Sequence, residues 1–330
     1  MIAGRASAFS DRDVLTMARE DFVAVTADDW YQRRRQDAEG EFFREVANQG
    51  PRKDGGTRQG IYVLTADGEL LSYKNAGQLA DVTREELKRA LGKFRKLPAD
   101  RREPGAVAVG DPGKLDVNYT RTPPPGGLVV RVHARILDRK DGELCKGTCK
   151  TLGGDKASRD FLWLTRDEVR SLAPAKAEVG FTSDVSAKVR DRILMFHLVD
   201  NTRGEPNFWT VEDVRRARMT LTVTKVSSAG IVLRLAGDAL LATDADPAKA
   251  DCGYEVRLRG ELRYLPGKQT FDRFDVAAVG EHWGEGTYTR GARPGRTLLG
   301  VAFGPVAGDA PADRVPPQAA REVGRYFGKY

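Results

Sequence analysis

Hydrophobic and polar positions follow two different periods along the chain, and the change of period divides it. Up to residue 97, apolar residues recur at helical spacing in three segments, 10–21, 37–50 and 83–97. A short β-branched run, 22–27, lies between the first two segments and predicts a buried strand. The stretch 60–74 alternates on both sides of an Asp-Gly pair, which is typical of a β-hairpin. The predicted order is helix, strand, helix, hairpin, helix.

The residues at the ends of the predicted helices agree with this assignment. Ser10 is a candidate N-cap of the first helix, and Gly50 suits the end of the second. Thr83 and Glu86 have the spacing of a capping box, so we expect the last helix to begin there.

The segment "DVLTMAREDFVAVTADDW", followed by "GIYVLTADGELLSY" and an amphipathic helix, resembles the thioredoxin-like superfamily over residues 10–97. Redox-active members carry a C-x-x-C motif at the start of their first helix and a cis-proline just before the hairpin. In this sequence residues 1–144 contain no cysteine, and "TRQG" stands where the proline would be. The resemblance therefore implies a thioredoxin-like α/β domain without the redox chemistry of the family.

Residues 98–126 are rich in proline and glycine and end in "TPPPGG", a composition that favours an extended linker. We therefore expect a thioredoxin-like domain over 1–97, this linker over 98–126, a β-rich domain over 127–310 and a C-terminal tail or helix over 311–330.

Beyond the linker, apolar and polar residues alternate with the period of β-strands. "LVVRVHARIL", residues 128–137, places four apolar side chains on one side, and 218–283 predicts four long antiparallel strands. In the third of these, Val256 and Leu258 face one side, and Arg257 and Arg259 face the other. We expect an open β-barrel or an α+β sandwich, and an α+β multidomain class for the chain. This part resembles only uncharacterised bacterial proteins that also carry a thioredoxin-like front.

A glycine-rich segment after the last long strand holds the densest group of polar and aromatic side chains. The candidates for metal ligation or acid–base catalysis are Glu281, His282 and Glu285, and the candidates for ligand binding are Arg290, Arg293, Arg296, Trp283 and Tyr288. No known catalytic motif is matched. The alternative is a loop that closes the β domain, with its arginines paired to acids on neighbouring strands.

Cys145 and Cys149 form a C-x-x-x-C pair, which places both sulfurs on one face of either a helix or a strand. They could form a disulfide, bind a metal or be two ordinary thiols near a turn. If 144–152 returns beside 128–137 as a hairpin, Cys149 lies opposite Val132. His197 stands in an apolar run and is expected to be a core residue.

Charge and composition narrow the function classes further. The 330 residues include 54 Lys and Arg against 47 Asp and Glu, a net charge of +7, and the two signs are interleaved. The densest basic run, "YQRRRQ" at 31–36, is flanked by acids, which argues against a nucleic-acid groove. No apolar run approaches the length of a spanning helix, and no signal peptide is evident. We expect a cytoplasmic protein, or an exported one if a leader precedes this sequence.

Three functional hypotheses follow. The first is a redox-inactive thioredoxin-like domain fused to a β-rich binding or structural domain, with no cofactor and with a protein or small acidic ligand as partner. The second is a metal-dependent or acid–base enzyme with its site at 281–296. The third is a thiol- or metal-handling protein that uses Cys145 and Cys149.

Overall fold

The structure is a computed structural model, and it describes residues 8–9, 11–53, 56–75, 79–108, 111–137, 139–140, 143–144, 157–306, 308 and 310–328. The chain divides into two compact units, residues 3–121 and 122–330. This division falls inside the proline- and glycine-rich segment. The domain limits drawn from the sequence at 97 and 310 stay predictions.

The first unit contains short helices and one β-hairpin. Its elements are α1 (Arg12–Glu20), α2 (Asp29–Gln32), α3 (Ala38–Asn48), β1 (Ile61–Leu64), β2 (Leu70–Lys74), α4 (Ala80–Phe94) and a 3₁₀ turn (Ala99–Arg101). The predicted hairpin is confirmed, because β1 and β2 pair antiparallel and Gly68 takes a φ of +88° in the turn. Val14 of α1, Leu71 of β2 and Leu87 of α4 belong to one small buried cluster.

The strand predicted over 22–27 is wrong. In the structure this segment has no strand pairing, and Val23 and Val25 are 95% and 82% exposed. A strand needs a neighbour to satisfy its backbone donors and acceptors, and within the described residues the sheet of this unit holds only β1 and β2. An alternating run of residues cannot by itself specify that neighbour. The thioredoxin-like nature of residues 10–97 stays a prediction.

Two predicted helix starts also differ from the structure. Asp11, not Ser10, caps α1, since its Oδ1 accepts from the backbone N–H groups of Asp13 and Val14 at 3.1 Å. Helix α4 begins at Ala80, so Thr83 lies inside it and forms no capping box. The Thr83 hydroxyl donates instead to the Leu79 carbonyl oxygen at 3.0 Å, a bond that threonines in helices often make.

The second unit is built on one eight-stranded antiparallel sheet. Its strands are β3 (Leu128–Ile136), β6 (Asp160–Leu164), β7 (Thr182–Asp184), β8 (Val214–Ser227), β9 (Gly230–Ala242), β10 (Gly253–Leu265), β11 (Thr270–Trp283) and β12 (Thr297–Pro305). Two short strands, β4 (Arg139–Lys140) and β5 (Glu143–Leu144), pair separately. The spatial order is β6-β3-β12-β11-β10-β9-β8-β7, so the sheet has two edges and does not close. An α+β architecture with a large antiparallel sheet is therefore confirmed.

Strand β3 has different neighbours from those the sequence suggested. Val132 pairs with Phe303 of β12 on one side and with Asp160 of β6 on the other. The register opposite Val132 is thus occupied on both sides by described strands. Residues 145–156, which include both Cys145 and Cys149, lie outside the described residues.

One face of the sheet is covered by helices and carries the core. The predicted inward side chains of β3, among them Val130 and Val132, are buried there. The covering elements are α5 (Arg166–Ser171), α6 (Ala187–Arg192), a π-helical turn (Ile193–His197), a 3₁₀ segment (Gln318–Glu322) and α7 (Val323–Tyr326), and a further 3₁₀ turn spans Pro311–Asp313. Their apolar residues form one cluster with those of the strands. The C-terminal segment is therefore part of the core of this unit.

A buried arginine joins three parts of this cover. Arg192, whose side chain is 1% exposed, donates to both carboxylate oxygens of Glu168 at 2.5 and 2.6 Å. It also donates to the carbonyl oxygens of Trp163 at 3.0 Å and Tyr326 at 2.7 Å. Glu168 in turn forms the capping box of α5 with Thr165. Strand β6, helices α5 and α6 and the C-terminal segment are held together at this point.

Replacing Gly280 of β11 by alanine tests how closely β10 and β11 approach each other. A Cβ at Gly280 would overlap the carbonyl oxygen of Glu255 and the Cα of Val256, so the strands would have to separate. We expect Gly280→Ala to lower the free energy of unfolding by about 1–3 kcal/mol, measured by urea denaturation. Gly267→Ala is the control, because a Cβ there meets nothing within 4 Å, and its effect should stay within about 0.5 kcal/mol. Equal effects of the two changes would contradict the close approach.

Candidate functional site

The face of the sheet that the helices do not cover carries a trough of about 730 Å³ across β8, β9, β10 and β11. Strand alternation places it there, since Tyr254, Val256 and Leu258 of β10 are buried and Glu255, Arg257 and Arg259 are therefore on the outer face. We call it the outer trough. Its charged residues are Arg216, Arg218, Asp238, Glu255, Arg257, Arg259 and Glu281.

Each of the three carboxylates of the outer trough is paired with an arginine. Arg216 lies 3.1 Å from Asp238 through its Nε and 3.3 Å from Glu255 through its Nη2. Arg296 places its Nη1 3.2 Å from Glu255 and 3.4 Å from Glu281. The hydrogen bonds to Asp238 and Glu255 raise the pKa of Arg216 above its ordinary value. Two arginines therefore share three carboxylates, which leaves one net negative charge at this end.

The other three arginines of the outer trough carry uncompensated charge. Arg218, Arg257 and Arg259 are exposed, and no carboxylate of the described residues lies within 4 Å of their guanidinium nitrogens. Arg218 of β8 and Arg257 of β10 stand opposite Asp238 from its two sides, and Arg259 stands opposite Ala236. Asp238 is bonded to Arg216 instead. This cluster can bind a carboxylate or phosphate from solution.

The floor of the outer trough consists of small side chains. Thr220, Ala236, Gly237, Val279 and Gly280 lie between the charged residues. Among the described residues that line the trough, none is aromatic and none is a histidine, cysteine or serine. The trough therefore offers charge and hydrogen bonding, but no ring to stack on and no strong nucleophile.

The predicted acid–base residues do not converge. Glu281 faces the outer trough, whereas His282, the next residue of β11, points to the opposite side of the sheet. Glu285 lies in the following loop, where its Oε2 accepts from the N–H groups of Ala292 at 3.1 Å and Gly291 at 2.7 Å. These bonds lower the pKa of Glu285. Across the part of the chain that the structure describes, no three His, Cys, Asp or Glu side chains are grouped to hold a metal.

A buried ion pair holds the glycine-rich loop in place. The Nε of Arg203 lies 2.6 Å from Asp200 Oδ2, and the two side chains are 3% and 4% exposed. Arg203 also donates to the carbonyl oxygens of Thr289 at 2.5 Å and Gly284 at 3.1 Å. A single guanidinium thus fixes two points of the loop that follows β11.

His282 lies beside this ion pair, in a small cavity that Arg293 also lines. Burial is the largest effect on His282 and lowers its pKa to about 4. The nearby charge of Asp200 raises this pKa and that of Arg203 lowers it, but both effects are smaller than that of burial. Its ring contacts that of Tyr254 edge-on, with centroids 5.8 Å apart. The imidazole of His282 is therefore neutral at neutral pH.

The remaining predicted ligand-binding residues are divided between the trough and the loop. Arg296 stacks on Trp283 at 4.2 Å while it pairs with the trough carboxylates. The indole N–H of Trp283 donates to the Ala250 carbonyl oxygen at 3.0 Å. Tyr288 and Arg290 are exposed on the loop. Of the predicted set, Glu281 therefore lines the outer trough, and Arg296 pairs with its carboxylates from beside it.

The histidines and the third cysteine lie in separate places. His197 is buried, with Nε2 3.0 Å from the Tyr326 hydroxyl, as expected of a core residue. His133 Nδ1 lies 2.9 Å from the Ser158 carbonyl oxygen on the outer face of β3. Cys252 is a half-buried free thiol whose pKa is raised by burial. None of these residues lines the outer trough.

Only part of the outer trough could be predicted from the sequence. Alternation along β10 placed Arg257 and Arg259 on one side, which the structure confirms. The contribution of Arg218 and the position of Asp238 depend on the register of β8 and β9, which no local pattern contains.

Replacing Arg203 tests the buried pair. Arg203→Ala leaves the Asp200 carboxylate and two loop carbonyl oxygens without their donor, so we expect the free energy of unfolding to fall by about 3–5 kcal/mol in urea denaturation. Arg263→Ala is the control, because its partner Asp272 is exposed and the loss should stay below about 1 kcal/mol. A loss at Arg203 no larger than that of the control would contradict a supporting role for the pair.

The pH dependence of stability tests the burial of His282. Its pKa is about 4 in the folded protein against an ordinary 6.5, so the unfolded chain binds more protons between these values. This group then leaves stability unaffected above pH 6.5 and lowers it as the pH falls towards 4, by about 1–3 kcal/mol. Urea unfolding of wild type and of His282→Gln from pH 7 to 4 measures this, and the variant should show a shallower slope. Parallel slopes would contradict the prediction.

Comparison of the chain with protein-family models, curated proteins and solved structures finds no match. In the described part of the chain, no helix has the length and apolar character to cross a bilayer. A function can therefore be inferred only from the geometry and charge of the residues described above.

Proposed function

We propose that the chain is a binding protein whose second unit holds an anionic ligand in the outer trough. The observation that carries this proposal is the cluster of Arg218, Arg257 and Arg259, exposed and without a carboxylate within 4 Å among the described residues. On β10 and β11 the other outward arginines are paired, Arg263 with Asp272 at 2.7 Å and Arg273 with Asp275 at 2.6 Å. Arg218, Arg257 and Arg259 differ from these two in having no carboxylate partner.

The chemistry of the cluster supports an oxyanion as the ligand. A guanidinium group is planar, stays charged at any physiological pH and can present two parallel N–H donors to a carboxylate or phosphate. The trough, at about 730 Å³, falls in the range of small-molecule sites. A small acidic ligand, one of the partners considered from the sequence, fits both properties.

Binding is better supported than catalysis. The carboxylates of Asp238, Glu255 and Glu281 are each engaged by an arginine, and the trough lining described above offers no histidine, cysteine or serine. The enzyme hypothesis for 281–296 requires Glu281 and His282 to share a pocket, and they line different ones. The thiol hypothesis concerns Cys145 and Cys149, which lie outside the described residues.

In the function that we propose, the first unit is a redox-inactive thioredoxin-like domain joined to the binding unit. Helix α4 packs on β2 within that unit, in the order that the resemblance implies. The 144 residues before Cys145 contain no cysteine, so this unit has no thiol for redox chemistry.

A charge-matched pair of variants tests the proposed function. Isothermal titration of the full chain with citrate and with inorganic tripolyphosphate at 50 mM NaCl should detect binding of at least one. The triple change of Arg218, Arg257 and Arg259 to Gln should weaken it by at least about tenfold, since each guanidinium supplies charge-assisted hydrogen bonds. The control changes Arg234, Arg263 and Arg273 to Gln, removing the same charge outside the trough, and should alter affinity by less than about threefold.

Two results would count against the proposed function. One is the absence of binding by wild type to either anion at millimolar concentration. The other is an equal loss in the two triple variants, which would show that net charge and not the outer trough attracts the anion. Circular dichroism of each variant confirms that the fold is retained.

A further inference from the structure

The free arginines of the outer trough are spaced as separate anchor points. Arg257 and Arg259 are two residues apart on β10, so their Cα atoms lie about 7 Å apart. Arg218 lies across β9 from Arg257, two strand spacings or about 10 Å away. The three guanidinium groups therefore project from the corners of a triangle on one face of the sheet.

No group of the described trough draws these guanidiniums together. The residues between them, Thr220 and Ala236, are short, and the nearest carboxylate, Asp238, is bonded to Arg216. One oxyanion at the centre would have to gather three mutually repelling charges. A ligand with several oxyanions can instead place one near each guanidinium. The volume of the trough also greatly exceeds the space that one phosphate fills.

Asp238 adds a selective element to this arrangement. In register it stands directly between Arg218 and Arg257, so its negative charge lies where a single anion would approach both. For a small monovalent oxyanion, this repulsion offsets much of the attraction of the two arginines. A longer anion can bridge over Asp238 and contact the arginines on either side of it.

We infer that the ligand of the outer trough is a small polyanion with at least two phosphate or carboxylate groups, and that Asp238 discriminates against single oxyanions. This inference rests on the proposed function. No aromatic residue lines the described trough, so the charged groups of the ligand, and not a base or sugar ring, would be recognised. Once one group is bound, the next binds at high effective concentration.

A series of inorganic phosphates measures the effect of charge number directly. Isothermal titration of the full chain at 50 mM NaCl compares orthophosphate, pyrophosphate and tripolyphosphate, with tricarballylate as the carboxylate equivalent. Affinity should rise along the series, with tripolyphosphate at least about 30-fold tighter than orthophosphate. Whichever of tripolyphosphate and tricarballylate binds more tightly identifies the oxyanion that the trough prefers.

Single substitutions then separate anchoring from discrimination. Arg257→Gln and Arg259→Gln should each weaken tripolyphosphate binding by about five- to tenfold, and Arg234→Gln, on the same face but outside the trough, should leave it within about twofold. Asp238→Asn should strengthen orthophosphate binding more than it strengthens tripolyphosphate binding. The ratio of tripolyphosphate affinity to orthophosphate affinity should therefore fall by about threefold or more.

The outcomes separate this inference from the proposed function. If orthophosphate binds as tightly as tripolyphosphate and still depends on Arg257 and Arg259, the polyanion inference is overturned and the proposed function stands. If Asp238→Asn leaves the ratio unchanged, the discriminating role of Asp238 is overturned. If an oligothymidylate binds more tightly than tripolyphosphate, the ligand is a polymer and the inference is overturned. If no probe binds, both the inference and the proposed function fall.

Discussion

The second unit depends on one constraint: its antiparallel sheet is covered by helices on a single face. Side chains alternate between the faces of a strand, so every long strand must be apolar at one set of positions and polar at the other. Val256 and Leu258 of β10 satisfy the first requirement, and Arg257 and Arg259 the second. The charged outer trough is therefore a consequence of the same alternation that builds the core.

The helical cover is fixed to the sheet by buried charges. Arg192 joins α6 to Glu168 of α5 and to the Tyr326 carbonyl oxygen, and Arg203 joins Asp200 to the loop after β11. Such pairs contribute little net stability over well-packed apolar groups, but losing one partner is costly. They fix which segments meet and in which register. Arg296 follows the loop that Arg203 holds. The position of Arg296, and with it the pairing of the trough carboxylates Glu255 and Glu281, therefore depends on the Arg203 contacts.

Local structure could be predicted from the sequence, and long-range pairing could not. The Asp67-Gly68 hairpin and the inward face of β3 each depend on neighbouring residues, and each is found in the structure. The strand expected over 22–27 fails for lack of a neighbouring strand. The partners of β3 come from β6 and β12, far along the chain, and no alternation pattern specifies them. For the same reason, only the part of the outer trough on β10 could be predicted. The alternation along that strand is a local pattern, whereas its register with β8 and β9 is not.

The distribution of charge on the outer face argues that the outer trough is more than a solvated surface. Acids are available there, since Glu261, Asp272 and Asp275 all bind arginines on β10 and β11. Asp238 stands between Arg218 and Arg257 yet bonds to Arg216, so its neighbours remain uncompensated. Adjacent like charges on a sheet are unfavourable. A local departure from favourable charge pairing is expected where a residue serves a ligand and not the fold. In the function that we propose, an anion from solution supplies the missing negative charge.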